Sequence, residues 1–152
     1  MPLYPVKYDT DHRVYCGPAA LASITGKPVS TVLAAVLTLR KGRTVTPSWV
    51  RTTKKLPKAP VVGMTNWEAV ATLKKLGWRV IERQAFGRDR PTLAAFAGKL
   101  LPGVWLVGVT DHFVAVSGRT FCDTKSRQPV PLRDAPQRRK LVNVAWRLCK
   151  GK

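Results

Sequence analysis

Acidic residues are missing from most of the first half of this chain: none occurs between Asp11 and Glu68. In the whole chain 8 Asp and Glu stand against 27 Lys and Arg, a net charge of +19. The first acid-free stretch carries Arg13, Lys27, Arg40, Lys41, Arg43, Arg51, Lys54, Lys55 and Lys58. A second basic stretch runs from Lys125 through Arg127, Arg133, Arg138, Arg139, Lys140, Arg147 and Lys150 to Lys152, with Asp134 as its one acid. Such a surface holds polyanions at low salt and releases them as salt rises. It is either a contact face for nucleic acid, an acidic protein or an anionic scaffold, or a generic basic surface; no nucleic-acid motif accompanies it.

Cysteine is also sparse. Three thiols, Cys16, Cys122 and Cys149, have no paired spacing, which argues against a secreted disulfide framework and a zinc knuckle. Cys122, between Phe121 and Asp123, reads as a small buried thiol. No apolar run is long enough to cross a bilayer, and MPLYPVKYDTD lacks the basic flank, apolar core and cleavage site of a signal peptide. A cytoplasmic protein is expected. Low-complexity tracts and repeats are absent, while 45% hydrophobic residues and five tryptophans argue for an ordered core. Residues 1–152 have the length of a single domain.

Helices dominate the first two thirds. One is expected from Cys16 to about Thr25, with Pro18 tolerated in its first turn and Gly26 and Pro28 ending it. Ser30 is expected to cap a second helix through about Leu39, and Thr46-Pro47 to open a third through about Leu56. Thr65 and Glu68 have capping-box spacing for a fourth, Asn66 to Leu76. Then the period changes. Trp78–Arg83 alternates as a strand, Thr92 to about Leu101 reads as a last substantial helix, and Gly103–Thr110 as a central strand. His112–Val116 and Arg119–Asp123 suggest a hairpin, and Leu141–Leu148 a final strand. Helices first and antiparallel strands second make an α+β fold.

Only two histidines occur, His12 and His112. Cys16 sits in YCGPAALASITG at a helix start, and His112 opens DHFVAVSGRTFCDT. A catalytic thiol attacks as thiolate, which a helix N-terminus and a nearby imidazole both favour. Cys16, His112 and Asp123 are therefore the candidate catalytic residues. The hairpin tests the last pair. If Ser117-Gly118 is the turn, Val116 faces Arg119 and His112 faces Asp123 on one side of the sheet, with Cβ atoms about 4.5–5.5 Å apart. A three-residue turn would put Asp123 on the wrong face.

Other residues compete for these roles. His12 is too close to Cys16 in sequence to present its ring from an opposite wall, and Asp111 should point away from the face of His112. A zinc site at Cys16, His112 and Asp123 would lack a fourth ligand. No metal or cofactor is expected.

In those two segments, YCGPAALASITG and HFVAVSGRTFCDT, the chain resembles papain-like cysteine peptidases. Among them it resembles small forms related to bacteriocin-leader-processing peptidase domains, and short uncharacterised bacteriophage proteins of the same type. The resemblance implies helices carrying the nucleophile at a helix start, packed on an antiparallel sheet. Cys16 would be nucleophile, His112 base and Asp123 its orienting partner. One feature departs from the family: the oxyanion-hole glutamine about six residues before the cysteine. Thr10 stands there, and no Asn or Gln precedes Cys16. Losing such a donor can cost about 10²–10³ in rate, so either Thr10 or His12 substitutes or the chain keeps the fold without peptide cleavage.

The expected function is a cysteine peptidase or related thiol acyl-transfer hydrolase acting on a peptide or isopeptide bond. The competing expectation is an inactive papain-like fold serving as a basic nucleic-acid-binding or virion-associated structural protein, in the host cytoplasm or virion if phage-encoded.

Overall fold

The computed structural model describes residues 2–10, 14–40, 63–100, 102–110, 112–124, 128–136 and 138–151. The third expected helix, from Thr46 to about Leu56, lies outside the described residues, as does most of the first basic stretch. Among the described residues there are four α-helices and one antiparallel sheet of six strands, an α+β fold.

Helix α1 (Cys16–Thr25) is buried on all sides from Gly17 to Ile24. Small apolar residues around its whole circumference make it a core helix. Gly26 ends it at φ 73, a left-handed conformation that glycine adopts without steric penalty, and donates its amide to the Ala22 carbonyl. The chain bends by 116° into α2 (Val29–Leu39). Among the described residues no single helix is long and apolar enough to cross a membrane.

The start of α2 corrects one expectation. Pro28, not Ser30, holds the N-cap position, and Ser30 lies inside the first turn. The capping oxygens come from Asp9: the Ser30 amide donates to Oδ1 at 2.9 Å and the Ser30 hydroxyl donates to Oδ2. These bonds, the hydroxyl's first, hold the Asp9 carboxyl below its usual range. They also tie the N-terminal segment down, together with Tyr4 N–H donating to the Ser23 carbonyl at 2.8 Å.

Helix α3 (Asn66–Lys75) has the expected capping box, Glu68 N–H to Thr65 Oγ1 at 3.1 Å and Thr65 N–H to Glu68 Oε1 at 3.0 Å. Glu68 also receives the guanidinium of Arg40, the residue after α2, which is itself buried and donates to the Gly63 carbonyl. Arg40 is thus a helix-to-helix clamp and does not belong to the free basic surface its sequence neighbours suggest. Removing one partner strands a buried charge. Arg40→Ala is expected to cost about 3–5 kcal/mol in urea unfolding. Arg147→Ala, which breaks a more exposed ion pair with Glu82 at 3.1 Å, should cost less than about 1 kcal/mol.

The strands are β1 (Trp78–Ala85), β2 (Val104–Val109), β3 (His112–Ser117), β4 (Thr120–Cys122), β5 (Val130–Pro131) and β6 (Val142–Lys150), in spatial order β1-β6-β2-β3-β4-β5. Their alternation divides the core. Val104, Leu106, Phe113, Ala115, Cys122 and Trp146 join α1, α2 and α3 on one face. Trp105, Val107, Val114, Val116 and Phe121 join Leu93 and Phe96 on the other. All of β2 is buried, as a central strand covered on both faces should be.

The helix expected from Thr92 to Leu101 is much shorter. Helix α4 spans Leu93–Ala97, capped by Thr92 Oγ1 accepting from Ala95 N–H, and Gly98 occupies its C-cap. Its first amides, Leu93 and Ala94, donate to the carbonyls of Lys140 and Arg138, so tertiary pairing holds a helix too short to stand alone. A brief 3-10 turn, Leu132–Asp134, follows β5.

Candidate active site

Three chain segments meet where β3 begins and β4 ends. Cys16 is the first residue of α1, which packs against β3. His112 opens β3, and Asp123 is the residue after β4. Antiparallel pairing puts the start of one strand and the end of the other at the same end of the sheet.

The hairpin differs from expectation by one residue in its turn. Ser117 pairs with Thr120, so Gly118 and Arg119 form the turn rather than Ser117 and Gly118. Gly118 has φ 58, the positive value that the first central position of primed hairpin turns requires. Moving a two-residue turn by one position moves the register by two. Two is the side-chain period of a strand, so the face is preserved and only the pairing changes. His112 and Asp123 become diagonal neighbours instead of direct opposites, and His112 Nε2 lies 2.8 Å from Asp123 Oδ2.

By alternation His112 and Asp123 belong with Val114, Val116 and Phe121, the set facing α4. Yet Cys16, which is near enough to His112 to help raise its pKa, sits on the helix covering the opposite face. The contact is therefore made around the end of the sheet rather than through it. Asp123 is fully buried, and the His112 side chain keeps 13% of its exposure. A fixed carboxylate thus holds a ring that solvent or substrate can still reach.

Burial by itself would lower the His112 pKa. The hydrogen bond to Asp123 first, then the interaction with Cys16 and the charge of the Asp123 carboxylate, outweigh it and raise the pKa to about 9. The buried Asp123 carboxylate favours the imidazolium form of His112. With Nε2 engaged by Asp123, Nδ1 is the ring nitrogen left for the thiol.

At the helix end, the N-cap residue Tyr15 makes no side-chain cap bond, and the first turn of α1 carries no acid. Ala19 N–H donates to the Tyr15 carbonyl at 3.2 Å. Pro18 has no N–H, so the Cys16 and Gly17 amides are the first-turn donors facing the thiol end. Gly17 shows a feature that sequence reading missed. A Cβ built there would lie 2.6 Å from Met64 Sδ, so Met64 packs directly onto the backbone beside the nucleophile candidate. The available signal was the glycine itself, costly inside a helix unless something must approach closely.

Thr10, the expected substitute for the oxyanion glutamine, is half-buried just after Asp9, whose carboxylate is tied to α2. His12 and Asp111 lie outside the described residues. Cys122 is fully buried; desolvation raises its thiol pKa, with a hydrogen bond from Ser23 opposing and the Asp123 charge adding to the rise. It is an inert core thiol beside the site, as its apolar flank suggested. Cys149 is half-exposed and accepts from Arg79 Nε at 3.1 Å. Among the described residues no group of three or more His, Cys, Asp or Glu side chains is arranged to hold a metal ion.

No family model, no curated protein and no solved structure matches this chain. The site's chemistry rests on its own geometry.

Proposed function

We propose that this chain is a papain-like thiol hydrolase that cleaves a peptide or isopeptide bond through an acyl-enzyme on Cys16. The observation that carries the reading is the convergence of Cys16, His112 and Asp123, with the His112–Asp123 contact at 2.8 Å. Cys16 Sγ, its proton passed to His112, attacks the carbonyl carbon. The developing oxyanion faces the Cys16 and Gly17 amides at the positive end of α1. As the C–N bond breaks, His112 returns its proton to the leaving amine; it then takes a proton from the water that hydrolyses the thioester. Asp123 keeps the ring oriented and stabilises imidazolium throughout. The helix order, the nucleophile at a helix start and the antiparallel sheet are the features that favour a papain-like arrangement.

The test is alkylation, performed in Cys149→Ser protein because Arg79 also lies against that thiol. Iodoacetamide should modify Cys16 at least about 100-fold faster than buried Cys122, and His112→Ala should slow Cys16 about tenfold or more. A peptide bearing a carbonyl electrophile should leave a mass adduct on Cys16 alone. Equal labelling of Cys16 and Cys122 in folded protein, unchanged by His112→Ala, would sink the proposal. If salt-sensitive polyanion binding then survived Cys16→Ala, the chain would be a basic binding protein on the same fold.

A further inference from the structure

Away from the thiol, α4, the β3–β4 turn and the segment after β5 enclose a groove of about 400 Å³. Its floor is small and aliphatic, with Ala97, Gly98 and Leu132 among the lining residues. Three arginines, Arg119, Arg133 and Arg138, also line it. Among the described residues no acidic or aromatic side chain lines it.

Arg119 comes from the β3–β4 turn and Arg133 and Arg138 from the segment after β5, and hydrogen bonds lock these parts together with α4. Leu132 N–H donates to the Arg119 carbonyl at 2.7 Å, Ala94 N–H donates to the Arg138 carbonyl at 3.0 Å, and Arg138 Nη1 donates to the Arg133 carbonyl at 3.3 Å. Among the described residues none of the three forms an ion pair with a carboxylate. The nearest acid in sequence, Asp134, follows Arg133 and is exposed. Three like charges held around one apolar hollow repel one another until an anion arrives. Arg also offers a planar fork that matches a carboxylate with two hydrogen bonds.

We infer that this groove docks an acidic peptide segment with an aliphatic anchor: the anchor fills the floor and flanking Asp or Glu carboxylates pair with Arg119, Arg133 and Arg138. The volume fits one or two side chains, within the usual range of binding pockets. Single-stranded nucleic acid fits less well, because its bases bind by stacking on aromatic rings and the lining has none among the described residues. The groove is a site apart from the thiol. Arg119 lies at the turn end of the β3–β4 hairpin and His112 at the other, about 17 Å away along β3 at the usual rise per residue. The inference therefore does not rest on thiol chemistry.

Fluorescence anisotropy at physiological salt tests it, using a short labelled peptide in which a leucine pair is flanked by glutamates. Controls are the same peptide with serines for the leucines, and a labelled oligothymidylate of equal charge. The leucine peptide should bind about tenfold or more tighter than the serine peptide. Arg119→Ala with Arg133→Ala should weaken it about tenfold or more. Gly98→Leu fills the floor without altering charge. Gly98 has φ −67, and a Cβ there meets the Ala94 carbonyl oxygen at 3.6 Å, an ordinary contact, so the fold accepts the side chain. It too should weaken the leucine peptide about tenfold, with an unchanged circular dichroism spectrum. Equal affinity for the leucine and serine peptides would overturn the inference, as would a folded Gly98→Leu protein that binds normally. Tighter binding of oligothymidylate, lost with the same arginines, would overturn it in favour of nucleic acid.

Discussion

His112→Ala is expected to lower kcat for peptide or isopeptide cleavage by about 10³–10⁴, with KM little changed. The proposed role of the ring is to move protons after substrate is bound, so its loss should appear in the chemical step. Asp123 should give a graded series. Asp123→Ala removes both the acceptor that orients Nε2 and the buried charge that favours imidazolium, and should cost about 10² or more in kcat. Asp123→Asn keeps a carbonyl oxygen that can accept from Nε2–H but loses the charge, so it should fall between Ala and the parent. The Asn-to-Asp interval measures the charge, and the Ala-to-Asn interval measures orientation. If all three variants turned over a cleaved substrate at the parent rate, the proposed roles of His112 and Asp123 would be wrong.

How much of the candidate site is legible in the sequence follows from which features are local. Helix starts and stops at Cys16, Gly26, Thr65 and Gly77 are set by residues within a turn of each boundary, and α1 and α3 begin where the pattern places them. The His112–Asp123 contact survives a turn displaced by one residue, because a strand's side-chain period is two and the shared face is kept although the direct pairing is not. Non-local partners were invisible. Asp9 capping α2 from 21 residues away, Arg40 reaching Glu68, and Met64 resting on Gly17 are tertiary contacts that no short window contains. The same blindness overestimated the helix near Thr92: alanine and leucine favour helix locally, but Gly98 ends it and the segment before β6 takes its first amides. Charge was misjudged in one respect too, because a count assigns Arg40 to the surface while its ion pair belongs to the interior.

The proton chemistry of the site should also show in the stability of the whole domain. His112 has a folded pKa of about 9, against 6.5 for an unperturbed histidine. The fold therefore binds a proton that the unfolded chain releases near neutrality. The resulting stabilisation is complete below about pH 6.5, declines as pH rises through the window up to 9, and is gone above it. Allowing for solvent screening at a ring that keeps some exposure, the loss is on the order of 2–3 kcal/mol, or about 5–10 °C in Tm for a domain of this length. Cys122 acts in the same direction but in another window. Its thiol is held protonated by burial, so it destabilises the fold only once the unfolded thiol ionises, around its ordinary value of 9.0 and above. Melting curves between pH 6 and 9 consequently isolate the imidazole. His112→Ala should flatten that slope. Cys16→Ala should shrink it without abolishing it, because the larger hydrogen bond, to Asp123, remains. A parent protein whose Tm stayed level from pH 6 to 9, or a slope that persisted unchanged in His112→Ala, would mean that imidazolium is not what the site holds.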